Sequence, residues 1–244
     1  MRFLVVNDDG VKSTGLKFLV EKLLEFSSDI MVVAPFEEMS ATSHRLSLRE
    51  GLNINREFDI IEGVPTYSVT GTPADCVKVA IDHLKYIPDI VFSGVNNGFN
   101  MGNDIIYSGT VAGASEASFY NICGIAVSCK RNCLDGINYF DEVMHYVFDN
   151  GLIEKGRIIN INIPPKPKGI RFTHQGSYPF KTEYVLKENG LYYVESTPIG
   201  MFVENDEETD VYNVLHDFVS IGFLTIDRTN HELFNKYKNT KFNF

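Results

Sequence analysis

Five short apolar runs constrain this chain more than any other feature. They are Phe3-Leu4-Val5-Val6, Ile30-Met31-Val32-Val33-Ala34, Asp89-Ile90-Val91-Phe92-Ser93, Gly124-Ile125-Ala126-Val127-Ser128 and Ile158-Ile159-Asn160-Ile161-Asn162. Continuous apolar runs of this length read as strands buried on both faces. Helical patterns separate them. Leu16, Leu19, Val20, Leu23 and Leu24 share one face, with Ser13 or Thr14 available as cap, and Val77, Ala80, Ile81 and Leu84 share another. Thr72-Pro73-Ala74-Asp75 opens that second helix, with Thr72 at the N-cap and Pro73 at the first helical position. A small-residue helix is expected from about Thr110, and Ile137, Phe140, Met144, Val147 and Phe148 mark a further one that ends at Gly151. Repeated strand–helix units predict an α/β fold with a doubly wound, mainly parallel sheet. Leu46-Ser47-Leu48 and Tyr67-Ser68-Val69-Thr70 alternate as half-exposed strands would.

The last third differs. Tyr184 to Ser196 reads as a hairpin around Asn189-Gly190, and Val219 to Leu224 is apolar. Glu204 to Asp210 is acidic and most simply a solvated surface segment, and a polar terminal segment closes the chain. The expectation is one domain over 1–244: a regular core over 1–165 and a β-rich extension over 166–244 that serves subunit pairing. With 44% apolar residues in 244, a full core can be buried. The net charge of −10 argues against a nucleic-acid polymer as partner, since polymer binding needs basic faces. Cys76, Cys123, Cys129 and Cys133 form neither a disulfide scaffold nor a paired metal motif. Cys129 and Cys133 could share a helical face, but buried free thiols are the expectation. The first apolar run is too short for a signal-peptide core, and no stretch reaches membrane-spanning length. A reducing cytoplasm is the expected compartment.

Chemistry is expected at the carboxyl ends of the strands, where open α/β sheets bind ligands. Asn7-Asp8-Asp9-Gly10 follows the first run and puts two carboxylates side by side there. Such a pair suits a hard divalent cation, although the four residues are also good turn formers. The other strand ends contribute Ser40, Thr42, Ser43 and His44, then Gly94, Asn96, Asn97, Asn100 and Asp104. This oxygen-rich set favours magnesium, calcium or manganese over structural zinc. Tyr107-Ser108-Gly109-Thr110 offers N–H groups, hydroxyls and a helix dipole to an anion, or simply an N-cap. A metal facing an anion cradle is the layout for phosphoryl chemistry. Sharper motifs fail. Gly15 is followed by Leu16, not Lys-Ser/Thr, and neither G-x-G-x-x-G nor G-x-S-x-G is present. Of the histidines, His44 alone lies in a candidate loop, while His83 and His145 sit on expected helices.

The blocks Val6-Asn7-Asp8-Asp9-Gly10, Val33-Ala34-Pro35, Ser40-Ala41-Thr42-Ser43-His44, Gly71-Thr72-Pro73-Ala74-Asp75-Cys76-Val77, Ser93-Gly94-Val95-Asn96 and Tyr107-Ser108-Gly109-Thr110 together resemble the SurE family of metal-dependent nucleotide phosphatases. The resemblance covers residues 1 to about 165, including Asn160 to Pro165, and continues more faintly at Thr209 to Tyr212 and Val219 to Ile221. It implies a Rossmann-like three-layer core and hydrolysis of nucleoside 5′-monophosphates, with some members accepting 3′-nucleotides or short polyphosphate. It also implies Asp8, Asp9, Ser40 and Asn96 as ligands of one Mg²⁺ or Mn²⁺ per subunit. On that basis Asp8, Asp9 and Asn96 are the expected catalytic residues, and Asn96, Ser108, Gly109 and Thr110 hold the phosphate while water attacks in line. Family members are dimers or tetramers that exchange their C-terminal parts. Two departures stand out: Phe36-Glu37-Glu38-Met39 replaces a usually basic polar stretch, and Glu116-Ala117 stands where Glu-Gly is common. The alternative is a non-catalytic, metal-gated nucleotide sensor. A receiver domain is a poor fit, because Ser93 to Asn96 lacks its phospho-accepting Asp.

Overall fold

Apolar runs buried on both faces need a layer on each side of the sheet, and the chain supplies both. A computed structural model describes residues 1–178, 180–198 and 206–240. In chain order come β1 (Arg2–Val6), α1 (Thr14–Leu23), β2 (Asp29–Pro35), β3 (Ile54–Arg56), β4 (Thr66–Val69) and α2 (Pro73–Lys78), which widens into a π turn over Val79–His83. Next are β5 (Ile90–Asn97), α3 (Asp104–Tyr107), α4 (Gly109–Phe119) and β6 (Cys123–Cys129). A 3-10 turn (Leu134–Tyr139) leads into α5 (Phe140–Asp149), then β7 (Ile158–Ile163) and β8 (Ile170–Thr173). The chain continues through β9 (Phe180–Leu186), β10 (Tyr192–Pro198), α6 (Asp210–Leu215), β11 (Val219–Leu224) and α7 (His231–Tyr237).

The main sheet runs β3-β4-β2-β1-β5-β6-β7-β11-β8. Its centre is parallel, while β3 on β4 and β11 on β7 are antiparallel. Leu16, Leu19 and Leu23 of α1 and Phe140 and Met144 of α5 cover one face, packing with Phe3, Val5, Phe92, Ile125 and Ile161. On the other face Cys76 and Val77 of α2 and Ala117 of α4 pack with Leu4, Val6, Val33 and Val91. The result is a three-layer α/β/α fold. Strand order reverses between β1 and β5, so the crevice past their carboxyl ends is the switch point where such sheets bind ligands.

Several expectations change. Leu46-Ser47-Leu48 is not a strand. Its backbone is diverted to the start of α2, where Ser47 N–H donates to both Asp75 carboxylate oxygens (3.1 and 3.3 Å), and Leu48 is exposed. The expected loop from Gly94 to Gly109 is shorter, because β5 runs on to Asn97 and α3 forms within it. Strand β8 and helices α6 and α7 were not evident from the pattern. Cys129 ends β6 and Cys133 lies in the turn that follows, so they share no helical face, and all four cysteines are free. In the acidic run, Glu204 and Asn205 fall outside the described residues and Asp206 to Glu208 are exposed. Asp210 is buried instead, because its carboxylate accepts from the N–H groups of Gly102 (2.9 Å), Gly176 (2.7 Å) and Val211 (2.8 Å).

Candidate metal and phosphate site

The first strand delivers its acidic pair on a braced turn. Asn7, fully buried, donates through Nδ2 to Gly10 O (2.9 Å) and Ser13 Oγ (2.8 Å), and Ser13 in turn caps α1. Gly10 sits at φ +95°, a conformation glycine adopts without strain. A Cβ on Gly15 would stand 2.3 Å from Val95 O, so only glycine lets the start of α1 rest on the end of β5. That contact sets the turn after β1 beside Asn96.

Four elements then converge. Asp8 is buried, and its Oδ1 and Oδ2 accept from Thr110 Oγ1 (2.5 Å) and Thr110 N–H (3.1 Å) at the start of α4. A Cβ on Gly109 would stand 3.0 Å from Asp8 Cβ, which explains glycine at this approach. Asp9 Oδ2 accepts from Asn97 N–H (3.3 Å), and the Met39 N–H donates to Asp8 O (2.7 Å), drawing in the loop that carries Ser40. Ser40 Oγ donates to Glu38 (2.6 Å). Asn96 Nδ2 donates to Gly98 O (2.7 Å), so its carbonyl oxygen is the atom suited to a cation. The Ser40 loop carries two non-glycine residues at positive φ, Ala41 (55°) and Ser43 (52°). Ser43 binds back to Ile106 O and Tyr107 O at 2.8 and 2.9 Å.

Burial pushes the Asp8 carboxyl up to about 6, against the opposing pull of the Thr110 hydroxyl, with a smaller push from Asp9. Burial also raises Asp9, and Glu38 adds to that. Glu38 belongs to the acidic substitution in the 36–39 stretch, so this departure places negative charge beside the pair. Two carboxylates whose pKa burial raises, with an amide carbonyl and a hydroxyl, offer an all-oxygen set of donors. A hard divalent cation fits it and would relieve the repulsion.

The anion cradle is more occupied than its sequence suggested. Ser108 caps α4, its Oγ accepting from Val111 N–H (3.0 Å), while both donors of Thr110 serve Asp8. The partnership of Thr110 with Asp8 was missed, although a Gly-Thr at a helix start beside an acidic pair is a usable signal. His44 lies beside this group rather than in it. Its Nε2 meets Oε2 of the buried Glu116 (2.7 Å), whose Oε1 accepts from Lys78 (3.3 Å). His83 and His145 are exposed on helical turns. A separate exposed group, His174, Asp206 and Glu208, includes an ordinary ion pair between His174 and Asp206 (3.2 Å).

Residues 3–182 match the family model described as survival protein SurE. The chain is 37% identical to the 5′-nucleotidase SurE of Caldanaerobacter subterraneus subsp. tengcongensis, covering 98% of this chain and 96% of that one. It is 36% identical to the 5′-nucleotidase SurE of Clostridium botulinum (strain Eklund 17B / Type B), covering 98% of both. Among solved structures it is similar to the SurE protein from Aquifex aeolicus, with a TM-score of 0.81 and 33% identity over 98% of each chain.

Proposed function

The chain belongs to the SurE family, and we propose that it is a 5′-nucleotidase that hydrolyses nucleoside 5′-monophosphates at the crevice between β1 and β5. The observation that carries this reading is the Asp8–Asp9 pair at the strand-order reversal, with buried Asp8 bonded to the N-terminus of α4 and half-buried Asp9 bonded to the end of β5. Asp8, Asp9, Ser40 and Asn96 would hold one divalent cation, Mg²⁺ or Mn²⁺, which when bound polarises the phosphoryl group and makes water nucleophilic near neutral pH. Thr110 aims both oxygens of Asp8 and sets its orientation before substrate arrives. The Ser108 hydroxyl accepts from Val111 and still has its own proton to donate to a phosphate oxygen. The Gly109 N–H and the α4 dipole add positive potential at the same point. Asn96 completes the phosphate contacts. Next to Ser108 and His44 opens a cleft of about 670 Å³, also bordered by Phe119 and Phe223, with room for a nucleoside.

Among the described residues β9 and β10 pair only with each other, and this ribbon with its turn exposes Tyr184, Leu186, Leu191, Tyr192 and Val194. An isolated two-stranded ribbon is marginal in water, so this arm is assigned to exchange with another subunit in a dimer or tetramer. Light scattering on the eluted protein checks that assignment, which a monomer at micromolar concentration overturns. No helix among the described residues is long and apolar enough to cross a membrane. Four free cysteines fit a reducing cytoplasm. The test of function is phosphate release from a panel of nucleoside monophosphates after EDTA treatment. Release restored only by Mg²⁺ or Mn²⁺ supports the reading, and nucleotide binding without release overturns it.

A further inference from the structure

Strand β7 is fully buried, yet two of its six residues are asparagines. Side chains alternate along a strand, so Ile159, Ile161 and Ile163 face the α1–α5 core while Asn160 and Asn162 face the other side. The hydrogen-bond partner that both share there is Asn100, itself 5% exposed. Asn100 N–H donates to Asn162 Oδ1 (2.8 Å). Its carbonyl accepts from Asn160 Nδ2 (2.8 Å) and Asn162 Nδ2 (3.0 Å). Its own Nδ2 donates to Ser128 Oγ on β6 (2.9 Å), and Ser128 lies level with Asn162 in the sheet. Four hydrogen bonds therefore fasten one loop residue to the sheet.

A strand shaped only for stability would carry isoleucine at both positions, as it does on its opposite face. Buried amides are tolerated only when bonded, and even here Asn160 Oδ1 has no partner. The fastened loop leads back to the site in two steps. Asn100 fixes the segment that contains Gly98, and Gly98 O receives the Asn96 amide (2.7 Å). Asn97, between them, donates to Asp9. From the other side, Asp210 of α6 holds Gly102.

We propose that Asn162, assisted by Asn160, is a positioning residue for the metal site: by fastening Asn100 it sets where Asn96 presents its oxygen and where Asn97 meets Asp9. This rests on the metal-site reading above. Partners that orient a ligand without touching the ion typically control 10–100-fold of metal affinity. The test titrates Mn²⁺ into metal-free protein without substrate and follows loss of the free-ion electron paramagnetic resonance signal. Asn162→Ala should weaken binding about tenfold. Asn100→Ala keeps the peptide atoms that make three of the four bonds, and it should bind Mn²⁺ nearly as the unaltered protein does. Val147→Ala opens a cavity on the opposite face of the sheet and controls for lost stability. It should keep its Mn²⁺ affinity while lowering Tm. A folded Asn162→Ala with unchanged affinity overturns the proposal, as does Val147→Ala weakening Mn²⁺ equally. If Asn162→Ala does not fold, Asn160→Ala, which removes one bond, is judged by the same two outcomes. An unaltered protein that binds no Mn²⁺ removes the metal site and this role together, and is distinct from a failure of the asparagines alone.

Discussion

Along β1 the side chains of Phe3, Leu4, Val5 and Val6 are wholly buried among hydrocarbon, whereas two residues further on Asp8 is almost as buried among oxygens. The first four each contribute on the order of 1.5–3 kcal/mol by leaving water. Asp8 does the reverse, since burial opposes its charge and raises its pKa. Within one turn of chain the sequence passes from residues that hold the fold together to residues that the fold must hold in place. Interior and rim should therefore answer differently to the same kinds of substitution.

The sharpest separation comes from Asp9→Asn. Turnover should fall by about 10²–10⁴, the several kcal/mol that a metal's transition-state stabilisation represents. The Tm of the metal-free protein should stay level or rise, because a like charge beside buried Asp8 is removed. Loss of both activity and Tm would break the contrast. Leu19→Ala in the α1 core should do the opposite. It should cost about 2–5 kcal/mol in urea unfolding, with kcat per folded molecule unchanged.

A third comparison uses pH. Asp8 takes its proton near pH 6 when folded and near 4 when unfolded, so between those values the folded state binds the extra proton. Its penalty is absent below about pH 4 and grows to on the order of 3 kcal/mol as pH rises through 6. The stability difference between Asp8→Asn and the unaltered protein, both after EDTA, should open over that window. A difference independent of pH would show that Asp8 is not strained by burial. Smallest is Thr72→Ala, which removes the capping box with Asp75 and should cost about 1 kcal/mol. Thr72 Oγ1 also donates to Arg45 O (2.7 Å), on the stretch following Ser40. A large activity loss at intact stability would move this turn from interior to rim.

The interior was the more legible of the two in the sequence. The five apolar runs became β1, β2, β5, β6 and β7 because burial on both faces writes itself as an unbroken local pattern. Where burial was partial the pattern misled, as at Leu46 to Leu48, whose alternation lost to the cap of α2. Helix α6 hid behind acidic residues, because Asp210 turns inward to backbone N–H groups that no local reading reveals. At the rim, the place of Asp8 and Asp9 followed from the end of β1 and from sheet topology. Their partners did not: Thr110 lies 102 residues from Asp8, and Asn100 lies 62 from Asn162. Such pairings depend on how elements dock, which local spacing does not encode.

The fastening of Asn100 bears on how a protein of this kind diverges. Three of its four bonds run through peptide N–H and C=O groups, which every residue except proline offers alike. The attachment therefore depends little on which side chain residue 100 carries, although Gly102 (φ +54°) and buried Met101 beside it keep constraints of their own. Mutation can rewrite that one side chain over generations while the ligand beside it keeps its address. A lineage can in this way vary the residue at the loop's anchor point without first losing the geometry on which its ion depends.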